Sequence, residues 1–473
     1  AAVTTVVDAV AMGADPTSQK DSTKGIQSAI NKASVAGGVV VLPPGTYRCD
    51  GTLAITASNV VLRGSGAGMT KLWFTKHSGM SNKAHVQIGA LPKRGSCFSA
   101  HKSDSPEAAV YWQPGLVNGG SSQDSLKPGD DIAVGQTITP DFVAEYGMTG
   151  TWKAFNGTWQ PFEQRDVLKV SPNWHSSLQI STKPSFRYRY RLRDNVSVCR
   201  YSGYIEGVGV EDLSVANAVE WTDAWANNQV HAIATVGVKD SWIRRVSSFD
   251  PPGPKDEGQL PNAHLQSSGI LIKFSKRVTV SDCHLQRAQH RGGGGNGYLF
   301  EIRQSSEVLT TGCTASHGRH NFIQNWGFGT SGCVWHDVVS SDGKALLSPQ
   351  SPIGTLGYSE FHHSLAMFNL VDASVIHDGW ASKNRGQFST GAGHTATENT
   401  LWNITGGGQL QSYNFGNGYV IGTGPAVKLH TKLPASGGEG TQPEDWIEGA
   451  GAAGTLAPQS LYLAQLAKRL GKK

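Results

Sequence analysis

Charge is scarce in this chain. Only 16% of its 473 residues are Asp, Glu, Lys or Arg, and the formal net charge is +5 with a pI near 8.8. So small an excess marks no nucleic-acid or membrane surface by itself, and the placement of each charge matters more than the sum. No apolar run approaches the ~20 residues a membrane helix requires. Cysteine is sparse as well: Cys49, Cys97, Cys199, Cys283, Cys313 and Cys333 form no CxxC and no Cys/His spacing, which excludes a zinc-ribbon or redox motif. Glycine, in contrast, is abundant at 58 residues, so the chain is rich in turns. It begins Ala1-Ala2-Val3, without Met or a charged n-region, the pattern of an export product whose signal peptide is gone. A secreted protein, extracellular or periplasmic, is the expectation.

Between Asp240 and Thr405 one short pattern recurs. Aligning LSVANA, SWIRRV, VTVSDC, VLTTGC, VWHDVV, VIHDGW and TLWNIT gives a first column of Val215, Ile243, Val280, Thr310, Trp335, Ile376 and Leu401. A second, three residues on, holds Ala218, Val246, Cys283, Cys313, Val338, Gly379 and Ile404. Between them lies a bend position: Asn217, Arg245, Asp282, Gly312, Asp337, Asp378 and Asn403, at steps of 25 to 41 residues. Short β-branched segments, each closed by a turn residue and repeated at such a period, read as stacked coils. The expectation is all-β: a right-handed parallel β-helix with Cys283, Cys313 and Val338 stacked inside. A sandwich need not keep such columns in register. Cys283 and Cys313 fit as buried free thiols one strand spacing apart in preference to a disulfide; Cys49, Cys97 and Cys199 lie outside the ladder, where a bridge among them is open.

Residues 22–35 carry Ile26, Ala29, Ile30 and Ala33 at helical spacing, suited to cover the open edge of the first coil. GGVVVLPPGTY and VVLRGSG follow as strands and turns. The order GADPT, amphipathic helix, GGVVVLPPGTY, VVLRGSG resembles the N-terminal segment of pectate-lyase-superfamily proteins, a likeness that resumes in the coils from about 207. It implies a secreted β-helix related to polysaccharide lyases. Residues 91–200 interrupt the repeat with two-residue alternation, as in FRYRYRLRD, and read as an inserted β-rich module. Its Trp152, Trp159 and Phe162 suit either a sugar-stacking surface or the module's own core. Leu463, Leu466, Ala467 and Leu470 share a stripe of a C-terminal helix that caps the solenoid or packs along it. The expected divisions are 1–90 (cap and first coils), 91–200 (module), 201–430 (main coils) and 431–473 (C-terminal extension).

Six positions after the second column stand Gln289, Arg319, Lys344 and Arg385, with His290 and Arg291 directly after Gln289. In register they form a cationic stripe, and a row of like charges is best relieved by an anionic ligand. SHGRHNF places His317, Arg319 and His320 on one turn, giving histidines able to move protons near neutral pH. Gly292 to Gly295 would let a ligand approach the backbone. EFHHSLAMFNLVD and NRGQFSTGAGHTATENT add His362, His363, Asn384, Arg385 and His394, and the 345–361 segment with Tyr358 and Glu360 is expected to bulge as a groove wall. NGYLFEIRQSS is similar to the NG…IR…S segment of the chondroitinase B and alginate lyase family, which implies an acid role for Arg303 and a partner lysine, Lys273 or Lys276. The aspartate clusters and RxPxxR pattern of pectate lyases and the paired-aspartate block of polygalacturonases are missing, so no cofactor or metal is indicated, calcium included.

The resulting expectation is a polysaccharide lyase acting on a uronic-acid polymer. Arg319 or Arg291 would neutralise the carboxylate, His320 or His317 would act as base, and Arg303, Lys344 or Tyr358 would donate a proton. His290, Arg291, Arg385, Tyr358 and Asn384 would hold substrate. A glycoside hydrolase is the alternative, with carboxylates drawn from Glu301, Asp337, Asp342, Glu360, Asp372 and Asp378. A non-catalytic glycan-binding solenoid is the third. The partner in each case is a polysaccharide, neither nucleic acid nor membrane.

Overall fold

The computed structural model describes residues 5–471 except 103–109, 113–114, 120–123, 153–157, 173–176, 254–259, 352 and 433–442, so parts of the expected insert and C-terminal extension lie outside the described residues. Two long parallel sheets wind around one core. The ten-stranded sheet runs from Leu53–Ile55 through Ala84–Gly89, His231–Val236, Ser268–Lys273, Tyr298–Arg303, His320–Asn325, Ser359–Phe361, Gly379–Ser382 and Gln409–Ser412 to Lys428–His430. All its pairings are parallel, as a right-handed coil requires. The core is stacked in register: Ile270, Phe300 and Phe322 are consecutive partners, and the rings of Phe300 and Phe322 lie 5.1 Å apart. Cys283, Cys313 and Val338 stack inside as expected, the Cys283 N–H pointing at Cys313 Sγ at 3.4 Å.

The long second sheet bends once in each coil, and the bend is a single left-handed residue. Asp212, Arg245, Asp282, Gly312, Asp337, Ala373 and Asn403 all have φ between 49° and 64°. Two of the aligned segments shift as a result. Register pairs Val210 with Ile243 and Trp335 with Val371, so Val210, Asp212 and Leu213 replace Val215, Asn217 and Ala218. Likewise Val371, Ala373 and Ser374 replace Ile376, Asp378 and Gly379. Both slips equal five residues, because a neighbouring apolar segment with its own Asn or Asp offered the same pattern. The one Ala among the bends carried no turn signal.

The helix Thr23–Ala33 buries Ile26, Ala29, Ile30 and Ala33 against the first coil. The helix Leu461–Arg469 has no fully buried residue; Asp372 receives the Leu461 and Tyr462 N–H groups and the Ser460 hydroxyl, which pins its start along the long sheet.

Residues 93–202 form a six-stranded antiparallel sheet ordered Lys93–Ser99, Ser197–Ser202, Asp131–Thr137, Trp159–Pro172, Ser177–Thr182, Leu116–Asn118. Trp152 and Phe162 are fully buried in its aromatic core, whereas Trp159 lies under the Arg94 guanidinium at the edge. Cys97 and Cys199, opposite each other on neighbouring strands, form a disulfide; Cys49, Cys283, Cys313 and Cys333 are free and buried. The sheet meets the coils through Lys276, fully buried, which reaches Asp131 at 2.7 Å and Asp166, and through Arg187 on Glu307.

Candidate functional site

In the strand Tyr298–Arg303 alternation turns Phe300 and Ile302 inward, so Glu301 and Arg303 stand on the outer face of the ten-stranded sheet. Register then builds rows across that face. One row is Leu271, Glu301, Ile323, Glu360; the next includes Lys273, Arg303 and Asn325; and Tyr298 faces His320. Over these rows opens a cavity of about 460 Å³ lined by Tyr298, Arg303, Arg319, Asn325, Trp326 and His362, with Asn82, Gln229, Gly294, Gly295, Ser389 and Thr390 at its rim. The module props one side. Trp152 Nε1 donates to the Ala392 carbonyl at 2.8 Å and Gln387 Nε2 to Gly150 O at 3.1 Å, holding the turn that presents Ser389 and Thr390, both left-handed.

Of the residues expected at the site, Arg303 and Arg319 line the cavity. His320 and Arg385 lie just behind it, both on Glu360 at 3.2 and 3.3 Å. Tyr358 contributes its carbonyl, which accepts from His320 Nδ1 at 2.5 Å, while its hydroxyl donates to Gln409 Oε1 at 2.7 Å. His290 stacks on Trp225 with centroids 4.0 Å apart and contacts Asn228 Oδ1 at 3.1 Å. Arg291 is buried and accepts the Leu346 N–H on its carbonyl. Asn384 bridges to His394 in the turn before Ser389. His317 takes the left-handed turn and, like Lys344, does not line the cavity; Lys344 opens a hairpin with Gly354–Leu356. The expected stripe therefore splits. The coil turns between the two sheets differ in length, so equal spacing from the long sheet does not put these side chains in one line. Glu360 is also no loop residue: it sits in the strand Ser359–Phe361, 3% exposed. Lys273 is the register neighbour of Arg303, while Lys276 is committed to the module. Tyr298, Asn325 and Trp326 were not singled out from sequence. Alternation in HNFIQNW signals Asn325 alone; it would turn Tyr298 and Trp326 inward with Phe300 and Phe322.

The electrostatics follow from burial. Burial by itself would raise Glu360, but His320, His362, Arg385 and the His362 hydrogen bond outweigh it and hold the carboxyl below its ordinary range. Burial pushes His320 down to about 3 and His362 in the same direction. Burial pushes the Tyr298 phenol up to about 12. Glu301 is likewise held low despite burial, because Arg303 is bonded to it. Lys273 is lowered by burial and by Arg303. Arg319 donates to the Gly292 carbonyl at 2.7 Å, and no carboxylate pairs with it among the described residues.

Residues 6–93 match the family model described as rhamnogalacturonase A/epimerase, pectate lyase-like. That match covers only the first coils; the parallel coils that continue to Trp446–Glu448 give the chain the fold of a right-handed parallel β-helix. No curated protein matches the sequence. Among solved structures it is similar to ORF18 of Geobacillus virus E2 (11% identity, TM-score 0.41), covering 94% of this chain and 61% of that one, so it spans about three fifths of that protein. It is also similar to the endo-xylogalacturonan hydrolase of Aspergillus tubingensis (11%, 0.43; 94% and 93% covered). A third is the A-module of the mannuronan C-5 epimerase AlgE4 of Azotobacter vinelandii (13%, 0.35; 94% and 87%). At these identities the likenesses are remote.

Proposed function

We propose that the protein is a polysaccharide lyase that cleaves a uronic-acid-containing glycan by β-elimination in this cavity. One observation carries the reading: among the described residues the cavity wall presents two arginines, a tyrosine and a histidine, and no carboxylate. Elimination needs a cation to neutralise the uronate carboxylate, so that the C5 proton becomes acidic, and a group to move that proton. Arg319, which no carboxylate occupies, is suited to the first task, with Arg303 holding the neighbouring sugar. Tyr298, whose hydroxyl has no protein hydrogen bond among the described residues and which burial keeps protonated, is suited to hand its proton to the leaving oxygen as it takes up the one from C5, so that the phenol ends as it began. Trp326, 44% exposed and held left-handed at the rim, offers an apolar face to a sugar ring.

Hydrolysis has one observation in its favour. Glu301 and Glu360 lie in one row two strand spacings apart, about 9.6 Å along the sheet, near the upper limit of about 6.5–9.5 Å for inverting glycosidases. Both carboxylates are already bound by arginine or histidine and neither lines the cavity. Incubation with a panel of acidic and neutral polysaccharides separates the two readings. A product with the ultraviolet absorbance of an unsaturated uronate supports elimination; new reducing ends without that absorbance hand the protein to hydrolysis.

A further inference from the structure

We propose that His320, Glu360 and His362 form a binding site for one divalent transition-metal ion at the back of the cavity. The three residues come from two adjacent strands and the turn after the second, and their ligand atoms all lie within 4.8 Å of one another. All three are buried. One ion with bonds of about 2.0–2.2 Å can bridge donors at this spacing with small side-chain adjustments.

The tautomer of His320 points the same way. Its Nδ1 lies 2.5 Å from the Tyr358 carbonyl, which can only accept, so the ring proton is there. Nε2 is then a bare lone pair on a side chain 92% buried, 3.2 Å from a carboxylate oxygen and without a hydrogen bond. Two lone-pair atoms facing each other out of water call for a positive centre between them. The surroundings complete the pattern expected around metal ligands, in which the far side of each ligand is itself held. Tyr358 O takes His320 Nδ1, Ser389 Oγ lies 3.3 Å from His362 Nε2, and Arg385 Nη1 is 3.3 Å from Glu360 Oε2, which leaves Oε1 to the imidazoles. Two nitrogens and one oxygen favour zinc, iron(II), cobalt or manganese over calcium, which takes an all-oxygen shell. His362 lines the cavity, so the open coordination positions face it, and an acidic sugar would supply the next oxygen. That last step rests on the proposed function; the metal site does not.

The test uses the full chain stripped with a chelator and titrated without substrate, first with zinc by calorimetry and then with cobalt(II) by visible absorption. The expected result is one equivalent bound, with ligand-field bands in the cobalt form and no displacement by excess calcium. His320→Ala and His362→Ala should each abolish the bands, and Ser389→Ala should weaken binding by about 10–100-fold. Circular dichroism checks that each variant is folded, and Glu360→Gln serves where one is not. A wild-type chain that takes up no zinc or cobalt, that binds as tightly after both histidines are replaced, or that yields its ion to calcium overturns the proposal. Because no glycan is present, the outcome is separate from elimination: a metal-binding chain that forms no unsaturated product keeps this site and loses that reaction.

Discussion

The coils and the antiparallel module solve the same problem by opposite means. A coil buries its side chains against identical positions in the coils before and after, so Phe300 meets Phe322 and Cys283 meets Cys313. The module has no such neighbours. It closes on an aromatic cluster around Phe142, Trp152 and Phe162, ties its first and last strands by Cys97–Cys199, and borrows Phe328 from the coils, whose ring stacks on Phe162 at 5.6 Å. Repetition lets a solenoid be built from short segments with modest cores, whereas a single small sheet needs large side chains and a covalent tie. The reactive groups follow this division: every residue lining the cavity comes from the coils or their turns, and the module's contribution is to hold the turn bearing Ser389 and Thr390.

The largest expected effect tests whether chemistry resides wholly in the coils. Tyr298→Phe should lower turnover by roughly 10²–10⁴, the range for loss of a general acid–base group, with an unchanged circular dichroism spectrum. Unsaturated product released at the wild-type rate would remove Tyr298 from the reaction. Next comes the seam. Lys276→Ala leaves Asp131 and Asp166 facing each other with their shared partner gone, and should cost about 3 kcal/mol, the low end for removal of one member of a buried pair, because Lys239 still meets Asp131 and Arg277 still meets Asp166. Denaturant unfolding followed by tryptophan fluorescence reads this, and a loss below 1 kcal/mol would show that the module docks through its apolar contacts alone.

A comparable effect should distinguish the two regions directly. Replacing Cys97 and Cys199 by Ser opens a loop with a sequence separation of 102 residues and should cost about 2–5 kcal/mol. Hydrogen exchange should accelerate in strands 131–137 and 159–172 and stay unchanged in 298–303 and 320–325. Acceleration of both would mean that coils and module unfold as one unit. Acid should act on the seam in the same direction. Asp166 is held below its ordinary value, against its burial, by Lys276 and Arg277, so its stabilisation is complete above a pH of about 4 and is lost as pH falls through the lowered pKa. Asp166→Asn should flatten that acid limb of a stability–pH curve. The smallest effect is in the coils: Ala373→Gly removes a left-handed non-glycine residue at φ 49° and should raise stability by up to about 1 kcal/mol in thermal unfolding.

The coils were readable because a parallel solenoid writes its core into columns, and five of seven aligned segments fall where register puts them. The two slips show the limit: apolar–turn–apolar patterns recur within one coil, and only hydrogen-bond register chooses between Val215–Ala218 and Val210–Leu213. The module was readable as a break in the repeat with two-residue alternation; its pairing depends on contacts far apart in sequence and leaves no local trace. At the cavity, Arg319 was recognisable from the SHGRHNF turn, and Arg303 only through the resemblance of NGYLFEIRQSS to a lyase segment. Tyr298, Asn325 and Trp326 were not, because which face of a strand looks outward at a given row depends on the unequal turns that connect the sheets. Glu360 carried the wrong expectation for the same reason: a long step between bends read as a bulge, yet the segment re-enters the sheet at Ser359–Phe361.

The stacking of coils across the insertion also orders events in time. Val60–Arg63 and Thr70–Phe74 pair directly with Gly209–Ala216, and Ala84–Gly89 pairs with His231–Val236. A ribosome making roughly 5–20 residues per second would leave these first edges unpaired for on the order of ten seconds while the module emerges. The nascent chain must therefore shield the open strand edges of its first coils before the next coil exists. The helix Thr23–Ala33 covers only the opposite end of the stack, so the interval is one in which a chaperone, or early closure of the module over the same edge, decides between a monomer and an aggregate.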